Sequence, residues 1–212
     1  MLFRSSKEEA VEKMPAEIVS FMEWSGYPVP SPLTLDIAIV QEKESDLKIY
    51  DADSDVPFET ECLALSVDDY TKQRDLVMKS AEDFLALYET FPDKHHTVLP
   101  ERKTFYGSVP RTAEEMYQHT KNVNSYYFGE LGVNVDNSGS IVECRKRGFQ
   151  ELEALPNYLD LGVFNGSYGE LWSLRKVLRR FLWHDRIHAK AMYRMGIRTF
   201  GEIGRASCRE RV

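Results

Sequence analysis

His184 to Arg194 reads HDRIHAKAMYR, which sets two histidines four positions apart on a stripe that otherwise carries Leu174, Phe181, Ala191 and Met195. In an α-helix, side chains at i and i+4 leave one face with their Cβ atoms about 5–6 Å apart, close enough for both rings to reach one metal ion. Two ionisable rings on an apolar stripe are therefore either packed, hydrogen-bonded core residues or two ligands lacking a third. An HxxxH alone does not separate those readings; the rest of the chain has to.

Working outward, the helical pattern extends over about 168–196, a helix of roughly 40 Å at 1.5 Å per residue. Three more long helical patterns precede it, over about 67–91, 112–131 and 140–155, with Pro92, Gly132, Pro156 and Gly196 near the four ends. Each opens on a hydroxyl followed three residues later by a carboxylate: Ser66 and Asp69, Thr112 and Glu115, Ser140 and Glu143, Ser167 and Glu170. In such a capping box the hydroxyl accepts the orphan amide of the third helical residue, and the acid reaches back to the cap amide. Four consecutive helices without strands predict a mainly α fold, an antiparallel up-down four-helix bundle over 61–201. The connection between the second and third is short. In this arrangement the second and fourth helices share a direction and sit diagonally. Residues 92–111 make a loop of about twenty residues, either the mouth of a site or a crossing of the bundle end.

The N-terminal part has a different character. KEEAVEKMPAEIVSFMEW, residues 7–24, places Ala10, Met14, Ile18, Phe21 and Met22 at near-helical spacing around Pro15. After SGYPVPSP, the segment LTLDIAIV alternates Leu33, Leu35, Ile37 and Ile39 as a half-buried strand does. One helix and one strand cannot bury a core alone, so residues 6–60 are expected to dock partly on the bundle or to be poorly ordered. Both ends read as foreign: EIGRASCRERV (202–212) and MLFRS (1–5) match translations of a sequencing-library adapter. Native chain is then expected over about 6–201, and Cys208 carries no functional argument.

A chain of 212 residues with 42% apolar content can bury an ordinary core. Its formal net charge of -7 argues against a nucleic-acid partner, because phosphate-backbone binders carry an excess of Lys and Arg. The basic runs RKRG (145–148) and RKVLRR (175–180) then read as solvated helix faces. Cys62, Cys144 and Cys208 show no CxxC spacing, which suggests neither a disulfide framework nor a cysteine zinc site and fits a reducing, cytoplasmic setting. No apolar run approaches the roughly 18–20 residues that span a bilayer, so no membrane role is expected.

Among the histidines, His119 falls on the second long helix, on the side of Met116 and Val123, and can point at His184 and His188. Three converging imidazoles would leave coordination positions open, as catalytic metal sites require; equally, the rings can be structural. His95 and His96 sit beside Asp93 and Lys94 in a polar loop and read as solvated. Glu130 and Asp185 are candidates to orient a ring N–H or to act as a general base, or else they pair with Arg or Lys at a helix surface. Tyr126, Tyr127 and Trp183 either line a pocket or pack in the core.

With these residues in this order, the chain resembles the DinB/YfiT-like family of four-helix-bundle proteins. The likeness is carried by His119 in EEMYQHTKNVNSYYFGEL and by His184 and His188 in VLRRFLWHDRIHAKAMYR, where an acid follows the first histidine. The resemblance, over roughly 67–200, implies a divalent-metal site of His119, His184 and His188, holding Zn²⁺ or Ni²⁺. It implies a metal-dependent enzyme that activates a thiol or water, for transfer of a low-molecular-weight thiol, isomerisation or hydrolysis. It also makes a homodimer an expectation. Residues 1–60 resemble a truncated HicB-like αβ segment. The competing expectation is a non-catalytic interaction or regulatory module with structural histidines.

Overall fold

Five α-helices account for most of the residues described by the computed structural model, which are 6–31, 33–44, 57–104 and 107–201. They are α1 (Lys7–Ser25), α2 (Val67–Glu89), α3 (Ala113–Gly129), α4 (Ile141–Glu153) and α5 (Leu174–Phe200). Two minimal antiparallel hairpins interrupt them: β1 (Lys103–Thr104) with β2 (Gly107–Ser108), and β3 (Phe164–Asn165) with β4 (Leu171–Trp172). The described residues are thus mainly α-helical, and no helix among them is long and apolar enough to cross a membrane. The adapter-like ends lie outside the described residues.

Three of the four expected helix starts are where the hydroxyls place them. Ser66 Oγ accepts the Asp69 amide at 3.1 Å, while Thr112 and Ser140 form complete boxes with Glu115 and Glu143. The fourth is not at Ser167. Residues 167–169 make a single tight turn in which Tyr168 and Gly169 take φ of 61° and 73°, a left-handed backbone that no α-helix can continue. Glu170, expected to close the box, instead accepts from Lys176 Nζ at 2.8 Å. The true cap is Ser173, whose Oγ accepts the Lys176 amide at 3.1 Å and donates to the Glu61 carbonyl at 2.6 Å. At the other end α5 runs through Gly196 and stops at Gly201.

The strand expected at 33–40 does not form: this segment has no regular secondary structure and no strand pairing among the described residues. Its alternation is real, since Leu33, Leu35 and Ile37 are half-buried, and Leu33 and Leu35 share a groove with Pro15, Ala16 and Val19 of α1. A two-residue period buries one face, but a strand also needs a neighbouring strand for its amides. α1 itself docks on the other helices. The Trp24 indole N–H donates to Asp83 at 2.8 Å, the Arg186 guanidinium lies 4.4 Å from a Trp24 ring centre, and Lys190 pairs with Glu17 at 2.9 Å.

The remaining four helices pack in an order different from the expected one. α5 packs on α2 and α3, α4 packs on the same two, and α2 touches α3 only slightly. Side-chain contacts give the directions. Ser80 of α2 meets Asp185 of α5, and Phe91, just beyond α2, meets Phe200 at the end of α5, so α2 and α5 run parallel. Near the starts of α3 and α4, Tyr117 Oη accepts the Ile141 amide at 3.0 Å, and towards their ends Phe128 packs on Phe149, so these two also run parallel. The senses are up, down, down, up. The alternating up-down order fails because residues 130–140 are not a short turn between antiparallel helices. They are an extended return in which Leu131 and Val133 are buried and Val135 half-buried, with exposed residues between them. Extended chain covers about 3.3 Å per residue against 1.5 Å in a helix, so eleven residues can retrace all seventeen of α3. Asn137 fastens the return by accepting the Ser125 amide and donating to the Asn122 carbonyl.

α3 and α4 approach closely at Gly148, where an added Cβ would sit 2.0 Å from the Phe128 ring. Phe84, Phe128 and Phe181 are at most 1% exposed, and burial of each such side chain contributes about 1.5–3 kcal/mol. The basic runs are not solvated faces as expected: Arg145 and Lys176 are fully buried and Arg180 is 3% exposed. Each sits on the inward stripe of its helix beside an acceptor or an aromatic ring. Two predictions test this description. Ser173→Ala should cost about 1–2 kcal/mol in urea unfolding, and Ser167→Ala less than about 0.5 kcal/mol. Gly148→Ala should cost about 1–3 kcal/mol, with part recovered when Phe128→Leu is added.

Candidate metal centre

Two helices supply the histidine cluster. His119 stands in the second turn of α3, between the buried Met116 and Thr120 but itself exposed, while His184 is buried and His188 half-buried one turn apart on α5. α3 and α5 are neighbours, so His119 reaches the pair across their shared seam and not diagonally across a core. The Nε2 atoms of His119 and His184 are 3.2 Å apart, and the ring centres of the three lie 4.4–5.1 Å from one another. One ligand atom from each ring falls within 4.8 Å of the other two. Two nitrogens bound tetrahedrally to one ion at about 2.05 Å are about 3.3 Å apart, so the observed separation fits one edge of such a site.

The surroundings favour neutral rings at His184 and His188. Burial pushes His184 well below the ordinary histidine value of 6.5, and the charges of His188, His119, Arg180 and Arg145 act in the same sense. Burial also pushes His188 down, to about 3. A lone pair for a cation is therefore present at neutral pH. His184 Nδ1 is buried with no hydrogen-bond partner among the described residues, so only its Nε2, 3.2 Å from His119 Nε2, is engaged. Among the described residues the donor set is three imidazoles without a carboxylate, which suits Zn²⁺, Ni²⁺ or another borderline divalent ion. An ion held there keeps its full charge and favours an anion as a further ligand. The residues present fit such an ion.

The other candidates lie elsewhere. Asp185 points 100° round the helix from His184, where its carboxylate accepts from Ser80 Oγ at 2.6 Å and from both terminal nitrogens of Arg145 at 3.2 and 3.3 Å. It is thus neither a ring-orienting acceptor nor a surface ion pair. Glu130 lies eleven residues beyond His119, about 16 Å along α3, and accepts the Ser167 amide at 3.0 Å. Neither acid joins the histidine cluster. Tyr127 packs in the core against Phe181 and Trp172, with its ring centre 6.1 Å from that of His184 and nearly perpendicular to it. Tyr126 and Trp183 are half-buried, Tyr126 against Trp172 and Trp183 6.3 Å from His184. His95 and His96 are in the loop, where their amides donate to Asp93.

Of the partners of Asp185, Ser80 carries no mark in the sequence, and Arg145 reads there as part of a solvated basic run. Arg145 had a signal: it falls on the inward stripe Ile141, Cys144, Gly148, Phe149 and Leu152 of α4. A buried, depressed histidine stays neutral in the folded chain while its unfolded counterpart takes a proton. Stability is therefore intact above about pH 6.5 and lost as pH falls from there towards 3. Chelator-treated protein should lose up to about 1.4 kcal/mol per pH unit for each such ring, and His188→Gln should flatten the slope between pH 6.5 and 4.5.

No family model matches this chain, no curated protein matches it, and no solved structure matches it.

Proposed function

We propose that the chain is a divalent-metal-dependent enzyme on a DinB/YfiT-like four-helix bundle, with Zn²⁺ or Ni²⁺ held by His119, His184 and His188. One observation carries this reading: three imidazoles from two neighbouring helices, 65 residues apart in the chain, bring a ligand atom each within 4.8 Å of one another. The mainly helical architecture and the order of the histidines along it agree with the resemblance.

A divalent ion held by His119, His184 and His188 would lower the pKa of a thiol or water bound beside it and so supply a nucleophile near neutral pH. Burial keeps the His184 and His188 imidazoles unprotonated, and the exposed His119 leaves one flank of the cluster towards solvent. No carboxylate of the described residues stands in the cluster, so a proton released from that thiol or water would have solvent as its acceptor. The reaction class this supports is transfer or isomerisation through a low-molecular-weight thiol, or hydrolysis.

A second reading, a non-catalytic interaction module, is favoured by one specific distance: 3.2 Å between two Nε2 atoms is also the length of a ring-to-ring hydrogen bond. Metal analysis separates the two. The enzyme reading expects close to one divalent ion per purified chain, its loss in His188→Ala, and a rise in Tm of about 5–10 °C when Zn²⁺ at a hundred times its Kd is returned to stripped protein. A metal-free wild type whose Tm is indifferent to Zn²⁺ and Ni²⁺ leaves only the interaction module.

A further inference from the structure

We propose that the buried group of Asp185, Arg145 and Ser80 positions the histidine cluster by fixing the rotation of α5 about its own axis. Two helices that supply no ligand, α2 and α4, thereby set the aim of His184 and His188. The inference rests on the metal-centre reading above and concerns how that centre is held.

Consecutive helical residues project 100° apart, so His184 and Asp185 address different neighbours. His184 faces His119 on α3, and Asp185 faces Ser80 on α2 and Arg145 on α4. Both oxygens of the carboxylate are engaged: Oδ2 by Ser80 Oγ and Arg145 Nη1, and Oδ1 by Arg145 Nη2. The same guanidinium lies 3.6 Å from the ring centre of Phe181, one turn earlier on α5. Arg145 therefore grips α5 at two successive turns, and the side chains of both members of the ion pair are 0% exposed.

Stability does not explain this arrangement. Buried ion pairs are often replaced by apolar residues of similar volume with no loss. What the pair supplies is direction. Apolar contacts resist separation of helices but leave rotation comparatively soft, whereas three hydrogen bonds to one planar carboxylate hold both distance and angle. The need follows from lever arms. A ring nitrogen about 7 Å from the helix axis moves about 1.2 Å for a 10° rotation, several times the roughly 0.2 Å tolerance of a metal–nitrogen bond. Both α5 ligands move together in such a rotation, and His119, on another helix, does not follow.

The test compares wild type with the double variant Arg145→Met/Asp185→Leu, which keeps an apolar filling, and with Ser80→Ala, which keeps the ion pair. Three readouts are taken: Tm of the metal-free protein, Zn²⁺ affinity by chelator competition, and the visible absorption of bound Co²⁺. The expected result is a double variant with a metal-free Tm at or above that of wild type, Zn²⁺ affinity at least tenfold weaker, and an altered Co²⁺ band. Ser80→Ala should shift affinity in the same direction by a few fold. Wild-type affinity and an unchanged Co²⁺ band in a folded double variant overturn the inference and leave the metal centre standing. If the double variant does not fold, Ser80→Ala decides, and wild-type affinity there overturns the inference equally. A wild type that takes up neither ion sinks the metal-centre reading itself, and the inference with it.

Discussion

The architecture turns on the extended return of residues 130–140. By retracing α3, this segment makes α4 start at the same end as α3, which leaves α5 to lie against α3. That adjacency is what brings His119 to His184 and His188. A short turn at the same place would have made α3 and α4 antiparallel and changed every later neighbour relation. The return is held by alternating burial of Leu131, Val133 and Val135 and by the amide of Asn137, so modest local interactions govern a long-range juxtaposition.

Polar burial is concentrated on α5 and its neighbours. Arg145, Lys176, His184 and Asp185 have almost no accessible surface, and each occupies a position where an aliphatic side chain would be the simpler choice. Lys176 meets Glu170 and the Leu171 carbonyl over the Trp172 ring, which ties the start of α5 to the hairpin before it. α1 uses the same chemistry from outside, with Arg186 and Lys79 against Trp24. Cation and aromatic face together bury apolar area and still satisfy charge, which suits an interface between an amphipathic helix and an already assembled core.

Much of the local structure was legible in the residues. The hydroxyls at 66, 112 and 140 marked true helix starts, because an N-cap is a short-range interaction between groups three positions apart. Ser167 misled because its backbone enters a left-handed turn at Tyr168, a conformation the capping pattern does not register. The two-residue alternation at 131–135 was present in the sequence and would have revealed the return, yet the same alternation at 33–37 makes no strand. Period alone specifies a buried face and not a hydrogen-bonding partner. The three histidines could be placed on their helices by spacing. Their convergence and the true role of Asp185 depended on helix directions, which reside in the connections.

The three rings form a gradient of accessibility, from exposed His119 through half-buried His188 to buried His184. On the proposed metal-centre reading, an ion arriving from solvent would meet His119 first and the buried His184 last. Entry and exit would then be ordered by depth, from the outer ring on α3 to the inner pair on α5.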